Sequence, residues 1–393
     1  MVPVTPMRLA DTRSPSQGGT TVDNVNLEHG PIGQGQTYDV QIAGRGGLGA
    51  AGSVAAVALN VTVVSPTASS YLTVYPTGIL KPIASNINFV ADQTIPNMVI
   101  TKVGAGGKVT IYNNSGSANV VVDVLAWFPI GPGYTAVSPQ RLLDTRTDSQ
   151  EGGPTIDGLL GTGALVGQET YRLPVVGRGT IPATGVGSVV LNVTVTAPTA
   201  SNYLTVFPVG ATQPNASNLN FAAGQTIANM VISKVGVDGK IAIFNNAGST
   251  QVVVDVVGWF PLVSDYTPIV PQRFLDTRSC VGCVTVDDLY RGVGSLSPKQ
   301  EYELQIAGRA GVPASGVGSV ALNVTVDRST AGNYLSVYPF GTARPNVSNL
   351  NFVTGDTISN MVIAKLGADG KITIYNNEGW TPVVVDVVGW FPS

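Results

Sequence analysis

The chain repeats itself. Arg8-Leu9-Ala10-Asp11-Thr12-Arg13 returns as Arg141-Leu142-Leu143-Asp144-Thr145-Arg146, and again as Arg273-Phe274-Leu275-Asp276-Thr277-Arg278. Downstream, Leu59-Asn60-Val61-Thr62-Val63 matches Leu191 to Val195 and Leu322 to Val326. Each copy closes on a Val-Val-Val-Asp-Val run that ends in Trp-Phe-Pro, at Trp127, Trp259 and Trp390. The spacing is about 130 residues, far above the 20–50 residues of a solenoid coil or a propeller blade. Each copy therefore reads as a domain, with boundaries at 1–132, 133–264 and 265–393. The linkers are only a few residues long, so neighbouring copies should touch.

Within a copy, apolar and polar residues alternate in short runs broken by turn signals, the pattern of all-β folds. Copy one reads as strands near 38–43, 54–64, 70–75, 86–90, 97–103, 108–112 and 119–127, with a short edge strand over 8–12. No window carries a helical stripe. The stretch from Asn60 through Tyr71–Tyr75 to Gly78 resembles that from Asn97 through Lys108–Tyr112 to Gly116. Two such meanders would make the two faces of a sandwich. The expected fold is all-β, three tandem antiparallel β-sandwich domains of about eight strands each. Each copy is long enough to hold its own core, and is expected to fold alone.

Composition narrows the function. With 21 Lys+Arg against 24 Asp+Glu, the chain lacks the basic face that nucleic acid requires. At 44% hydrophobic and 11% charged residues it is too apolar for disorder. No run of 18 apolar residues marks a membrane span. Met1 is followed directly by Val-Pro-Val-Thr-Pro, without a basic or apolar leader segment. A signal peptide is expected to have been removed, and the location to be extracellular or at the cell surface.

The motif set of Asp-Thr-Arg, Leu-Asn-Val-Thr-Val, Tyr-Leu-Thr-Val-Tyr-Pro, Ser-Asn-Leu-Asn-Phe and Val-Val-Val-Asp-Val-Val-Gly-Trp-Phe resembles a tandem β-module of secreted and surface proteins. Its bearers are actinobacteria and related high-GC bacteria. The resemblance covers the whole chain three times. It implies an extracellular accessory or structural role and brings no catalytic residues.

Candidate chemistry starts from the repeated charges. Asp11 and Asp123, with Asp144/Asp255 and Asp276/Asp386, have the makings of a glycosidase carboxylate pair or a calcium site. However, Arg8, Arg13, Arg141, Arg146, Arg273 and Arg278 recur beside them. Asp123 lies in an apolar run where an unpaired charge is costly. The favoured reading is an Asp–Arg network that locks the first segment of each copy to its last strand. His29 is the only histidine and has no counterpart in the other copies, so neither a Ser-His-Asp centre nor a histidine metal site is expected. Cys280 and Cys283 occur in copy three alone, and read as a local disulfide, with free thiols as the alternative. The recurring asparagines, such as Asn60, Asn86 and Asn97, are expected to satisfy backbone groups, and Asn113-Asn114 to form a plain turn. The competing reading is a sugar-binding rim of amides and aromatics, with Tyr71, Tyr75, Tyr203, Phe207, Tyr334 and Tyr338 as glycan contacts. Trp127, Trp259 and Trp390 are expected to cap the core or to pack against the next copy. No cofactor is expected. The partners to consider are surface polysaccharide and other copies of the chain. The expected function is that of a non-enzymatic structural or adhesive protein, with carbohydrate binding as the alternative.

Overall fold

A computed structural model describes residues 1–147, 154–158, 163–279 and 283–393. Copy one contributes β1 (Val2–Asp11), β2 (Thr37–Gln41), β3 (Val54–Val64), β4 (Ser70–Pro76), β5 (Ile87–Phe89), β6 (Ile95–Lys102), β7 (Lys108–Asn113) and β8 (Asn119–Pro129). The expected strands are all present. The first is ten residues long rather than short. It lies at a sheet edge, where Pro3 and Pro6 remove no ladder bond that the sheet needs.

The strands are dealt to two sheets in the orders β1-β8-β3-β6 and β2-β7-β4-β5. Copies two and three repeat this, with Leu165–Val166 as an added strand beside Ser249–Pro261. The expected meanders are therefore corrected. β3 does not pair with β4 but with β6 and β8, while β4 pairs with β5 and β7. Successive strands of the half-repeats cross between sheets, as Greek-key connections do.

The expectation of three tandem sandwich domains is also corrected. The fold is all-β, but its strands form six small sheets, two from each copy, and the copies do not stand in a row: they close head to tail into one body.

Alternation along β3 and β8 explains the closure. One set of side chains (Leu59, Val61, Val63, Val122 and Val124) packs toward the second sheet of its own copy. The other set (Ala56, Ala58, Leu125 and Phe128, with Met98 and Ile100 from β6) packs against its counterparts Val190, Met230, Val257, Phe260, Ala321, Met361 and Phe391. Sandwiches joined in a row would leave that second face in water. Here it is the centre of the molecule, and the first sheets of all three copies share it.

Aromatic rings run through this centre. Phe128, Tyr134, Phe260, Tyr266 and Phe391 lie with successive ring centres 4.4, 4.8, 4.7 and 4.8 Å apart. The tryptophans do not make this contact. Trp127, Trp259 and Trp390 are half-buried against their own copies, and the adjacent Phe, on the opposite face of the strand, does the joining.

Candidate functional site

The repeated charges are brought together at the β1–β8 seam. Arg8 stands opposite Asp123 in register. Its Nε donates to Asp123 Oδ1 at 2.9 Å and its Nη1 to Asp11 Oδ2 at 3.4 Å. Arg13 donates from Nε and Nη2 to the two oxygens of Asp11 at 2.9 and 2.7 Å. Arg141, Asp255, Asp144 and Arg146 repeat this arrangement, as do Arg273, Asp386, Asp276 and Arg278. Burial pushes the carboxyls of Asp123, Asp255 and Asp386 up, and the paired arginines oppose that shift. Burial pulls Arg8 down, but its two carboxylates outweigh this and hold the guanidinium charged. These aspartates are fully buried, and each accepts from arginine.

A second arginine system has a partner that the sequence reading missed. Arg45 forks onto Asp23, with Nε to Oδ2 at 2.9 Å, while Nη1 donates to the carbonyls of Leu9 and Gln41. Arg178 with Asp157 and Arg309 with Asp287 are its copies. The arginine hydrogen bond lowers the carboxyls of Asp23 and Asp287. The signal was legible as a repeated Thr-Val/Ile-Asp at Thr21–Asp23, Thr155–Asp157 and Thr285–Asp287.

The strand asparagines do more than satisfy their own sheets. Asn86 Oδ1 accepts from Val74 N at 2.6 Å, and Asn97 Nδ2 donates to Asn86 O at 2.6 Å, both within copy one. Asn60, Asn192 and Asn323 instead donate across copies, to Ser348 O (2.6 Å), Ser85 O (2.6 Å) and Ser217 O (2.5 Å). The three bonds run head to tail and close the ring. Asn360 adds to the first junction by donating to Asn60 Oδ1 at 2.9 Å. Asn113 is buried rather than a plain surface turn, and its amide ties Ile32 O and Gly116 O.

The candidate glycan contacts separate into two groups. Tyr75, Phe207 and Tyr338 are buried, and Tyr338 Oη donates to Glu301 Oε1 at 2.7 Å, so they offer no rim. Tyr71, Tyr203 and Tyr334 are half-buried. Tyr71 and Tyr334 face grooves between copies, of about 370 and 410 Å³. His29 lies on a loop, with its ring centre 4.2 Å from that of Tyr38. Cys283 is disulfide-bonded, and Cys280 lies outside the described residues. Among the described residues, no group of three or more His, Cys, Asp or Glu side chains is placed to hold a metal ion. Among the same residues, no helix is long and apolar enough to cross a membrane.

No protein-family model matches the chain, and no curated protein matches it. Among solved structures, a similar chain comes from work described as "The Triple Jelly Roll Fold and Turret Assembly in an Archaeal Virus". The two are 9% identical, with 92% of this chain and 83% of that one covered, at a TM-score of 0.23. A score that low carries no argument about fold or function.

Proposed function

We propose that the chain is a non-enzymatic structural or adhesive protein of the bacterial surface, located outside the cell. One observation carries the reading. The aspartate–arginine sets repeated in all three copies are spent on locking each copy, and the strand asparagines on closing the ring; the aspartates that recur as pairs are buried under arginine. Buried under their arginines, these carboxylates are out of hydrogen-bond reach of a substrate's reacting atoms, which a general acid, base or nucleophile must meet. The resemblance to surface β-modules points the same way. The test is a broad panel of glycoside, ester and peptide substrates, on which no turnover is expected. Turnover abolished by Asp11→Asn, Asp144→Asn or Asp276→Asn would overturn the reading. Protease shaving of intact producing cells tests the location, with release of the chain as the expected result.

A second reading, carbohydrate binding, is supported by the two grooves. Each sets a half-buried tyrosine beside amide and hydroxyl groups on a concave surface, the usual furniture of a small-ligand site.

A further inference from the structure

The two grooves are the same site built twice. The first lies between copies three and one, and presents Arg13, Thr62 and Thr94 opposite Tyr334, Arg344 and Asn351. The second lies between copies one and two, and presents Arg146, Thr194 and Thr226 opposite Tyr71, Lys81 and Asn88. Position for position the residue types agree, with Lys81 in the place of Arg344. Each of these two cations is held over a ring on its own wall. Arg344 Cζ lies 3.9 Å from the centre of Tyr375, and Lys81 Nζ lies 4.7 Å from that of Tyr112.

Two departures of the third junction from this pattern remove affinity for an anion, while a third, Arg328 in place of Ser65 and Ala197, supplies Asp327 with a cation of its own. Gln213 stands where the other junctions carry Arg344 and Lys81, and Asp327 stands where they carry Val64 and Thr196. Asp327 is buried and occupies the site itself. Its Oδ2 accepts from Arg278 Nη1 at 3.3 Å and its Oδ1 from Thr357 Oγ1 at 2.7 Å, and the exposed Arg328 also donates to it, from Nε to Oδ1 at 3.2 Å and from Nη2 to Oδ2 at 3.4 Å. The counterparts of these donors are Arg13 with Thr94, and Arg146 with Thr226, the cation and hydroxyl that line the open grooves. Arg13 and Arg146 spend Nε and Nη2 on Asp11 and Asp144, as Arg278 does on Asp276, so Nη1 is the donor in question. The third copy thus carries, within the chain, the group that the other two lack.

Unpaired polar atoms line the open grooves as well. The buried hydroxyls of Thr62 and Thr194, and the Asn88 amide nitrogen, have no hydrogen-bond partner among the described residues. The equivalent Thr325 is unpaired too.

We propose that the two open grooves each bind one carboxylate-bearing sugar unit of an acidic polysaccharide, while the third is closed by Asp327. The carboxylate takes the place of the Asp327 side chain between arginine and threonine, as a charge-assisted pair. The sugar ring lies along Tyr71 or Tyr334, and the asparagine and threonine groups meet its hydroxyls. The inference rests on the second reading above and supplies its ligand chemistry.

The test is calorimetric titration of the full chain with a short oligogalacturonate, alongside neutral dextran and polyglutamate. Two sites per chain are expected, weakened by salt. Val64→Asp and Thr196→Asp, which copy the third junction, should each remove one of the two. Asp327→Val with Gln213→Lys should open a third. Lys81→Gln and Arg344→Gln alter exposed side chains and keep the test decisive if a buried aspartate prevents folding. Each should weaken one site about tenfold or more, the worth of a hydrogen bond to a charged group. Neutral dextran binding as well as oligogalacturonate would preserve carbohydrate binding and overturn the role of the carboxylate. Binding of neither sugar overturns both. Polyglutamate binding in place of the uronate, or a stoichiometry indifferent to all these substitutions, also overturns the proposal.

Discussion

Gly258→Ala is a small change with a large expected effect. Gly258 lies on a closing strand, beneath the ring of Tyr134. A Cβ built there falls well inside contact distance of Tyr134 Oη, Cζ and Cε2. The tyrosine cannot yield easily. It is fully buried, its Oη donates to Val257 O at 3.2 Å, and its ring is wedged between Phe128 and Phe260. Overpacking of this kind costs about 1–3 kcal/mol, and the displaced hydroxyl forfeits a hydrogen bond worth about 1 kcal/mol. The expected loss is about 2–4 kcal/mol, with the same for Gly389→Ala beneath Tyr266. Copy one provides the control. Ala126 occupies the equivalent position, and Met1 rather than a tyrosine packs beside that cluster. Ala126→Gly should cost only about 0.5–1 kcal/mol, the backbone penalty of glycine in a strand. Urea melting of the full chain measures all three. If Gly258→Ala proves no more costly than Ala126→Gly, the aromatic centre is not close-packed and the argument for a shared core fails.

Asp123→Ala should cost about 3 kcal/mol, the lower end for breaking a buried pair, because Arg8 retains Asp11; a loss under about 1 kcal/mol in urea melting would place the pair in the surface range. Burial pushes the phenols of Tyr134 and Tyr266 far above their ordinary value of 10.0. Their contribution is full below pH 10 and is lost as pH rises beyond it, since only the unfolded chain ionises there, by about 1.4 kcal/mol per phenol per pH unit. Stability measured on the alkaline side should fall at least that steeply, and the double change Tyr134→Phe, Tyr266→Phe should make the slope shallower by that amount, leaving the share of other phenols that burial raises, such as Tyr338. The fragment 133–264 carries both halves of a junction, Asn192 as donor and Ser217 as acceptor. Expressed alone, it should close head to tail as a trimer, and a stable monomer in sedimentation would show that the shared face is dispensable.

Much of this was legible in the sequence, because side-chain period and turn chemistry are local. The repeat, the strand positions and the all-β class follow from alternation and from the Gly, Pro and Asn punctuation between runs. The pairing of the Asp-Thr-Arg segment with the closing strand was also within reach, since a carboxylate inside Val120–Val124 must find a cation and the repeated arginines were at hand. One local signal was available and not used. β3 and β8 are nearly unbroken apolar runs, which mark strands buried on both faces, and a free-standing sandwich cannot bury both. What the second face meets is not a local property. Phe128, Phe260 and Phe391 lie more than a hundred residues apart, and only closure of the ring joins them through Tyr134 and Tyr266. The grooves are likewise made of side chains from two copies each. The sequence alone determined that Asp327 differs from Val64 and Thr196. Only the tertiary structure put that carboxylate against Arg278 and Thr357, because the contact depends on how distant strands pack and not on any pattern along the chain.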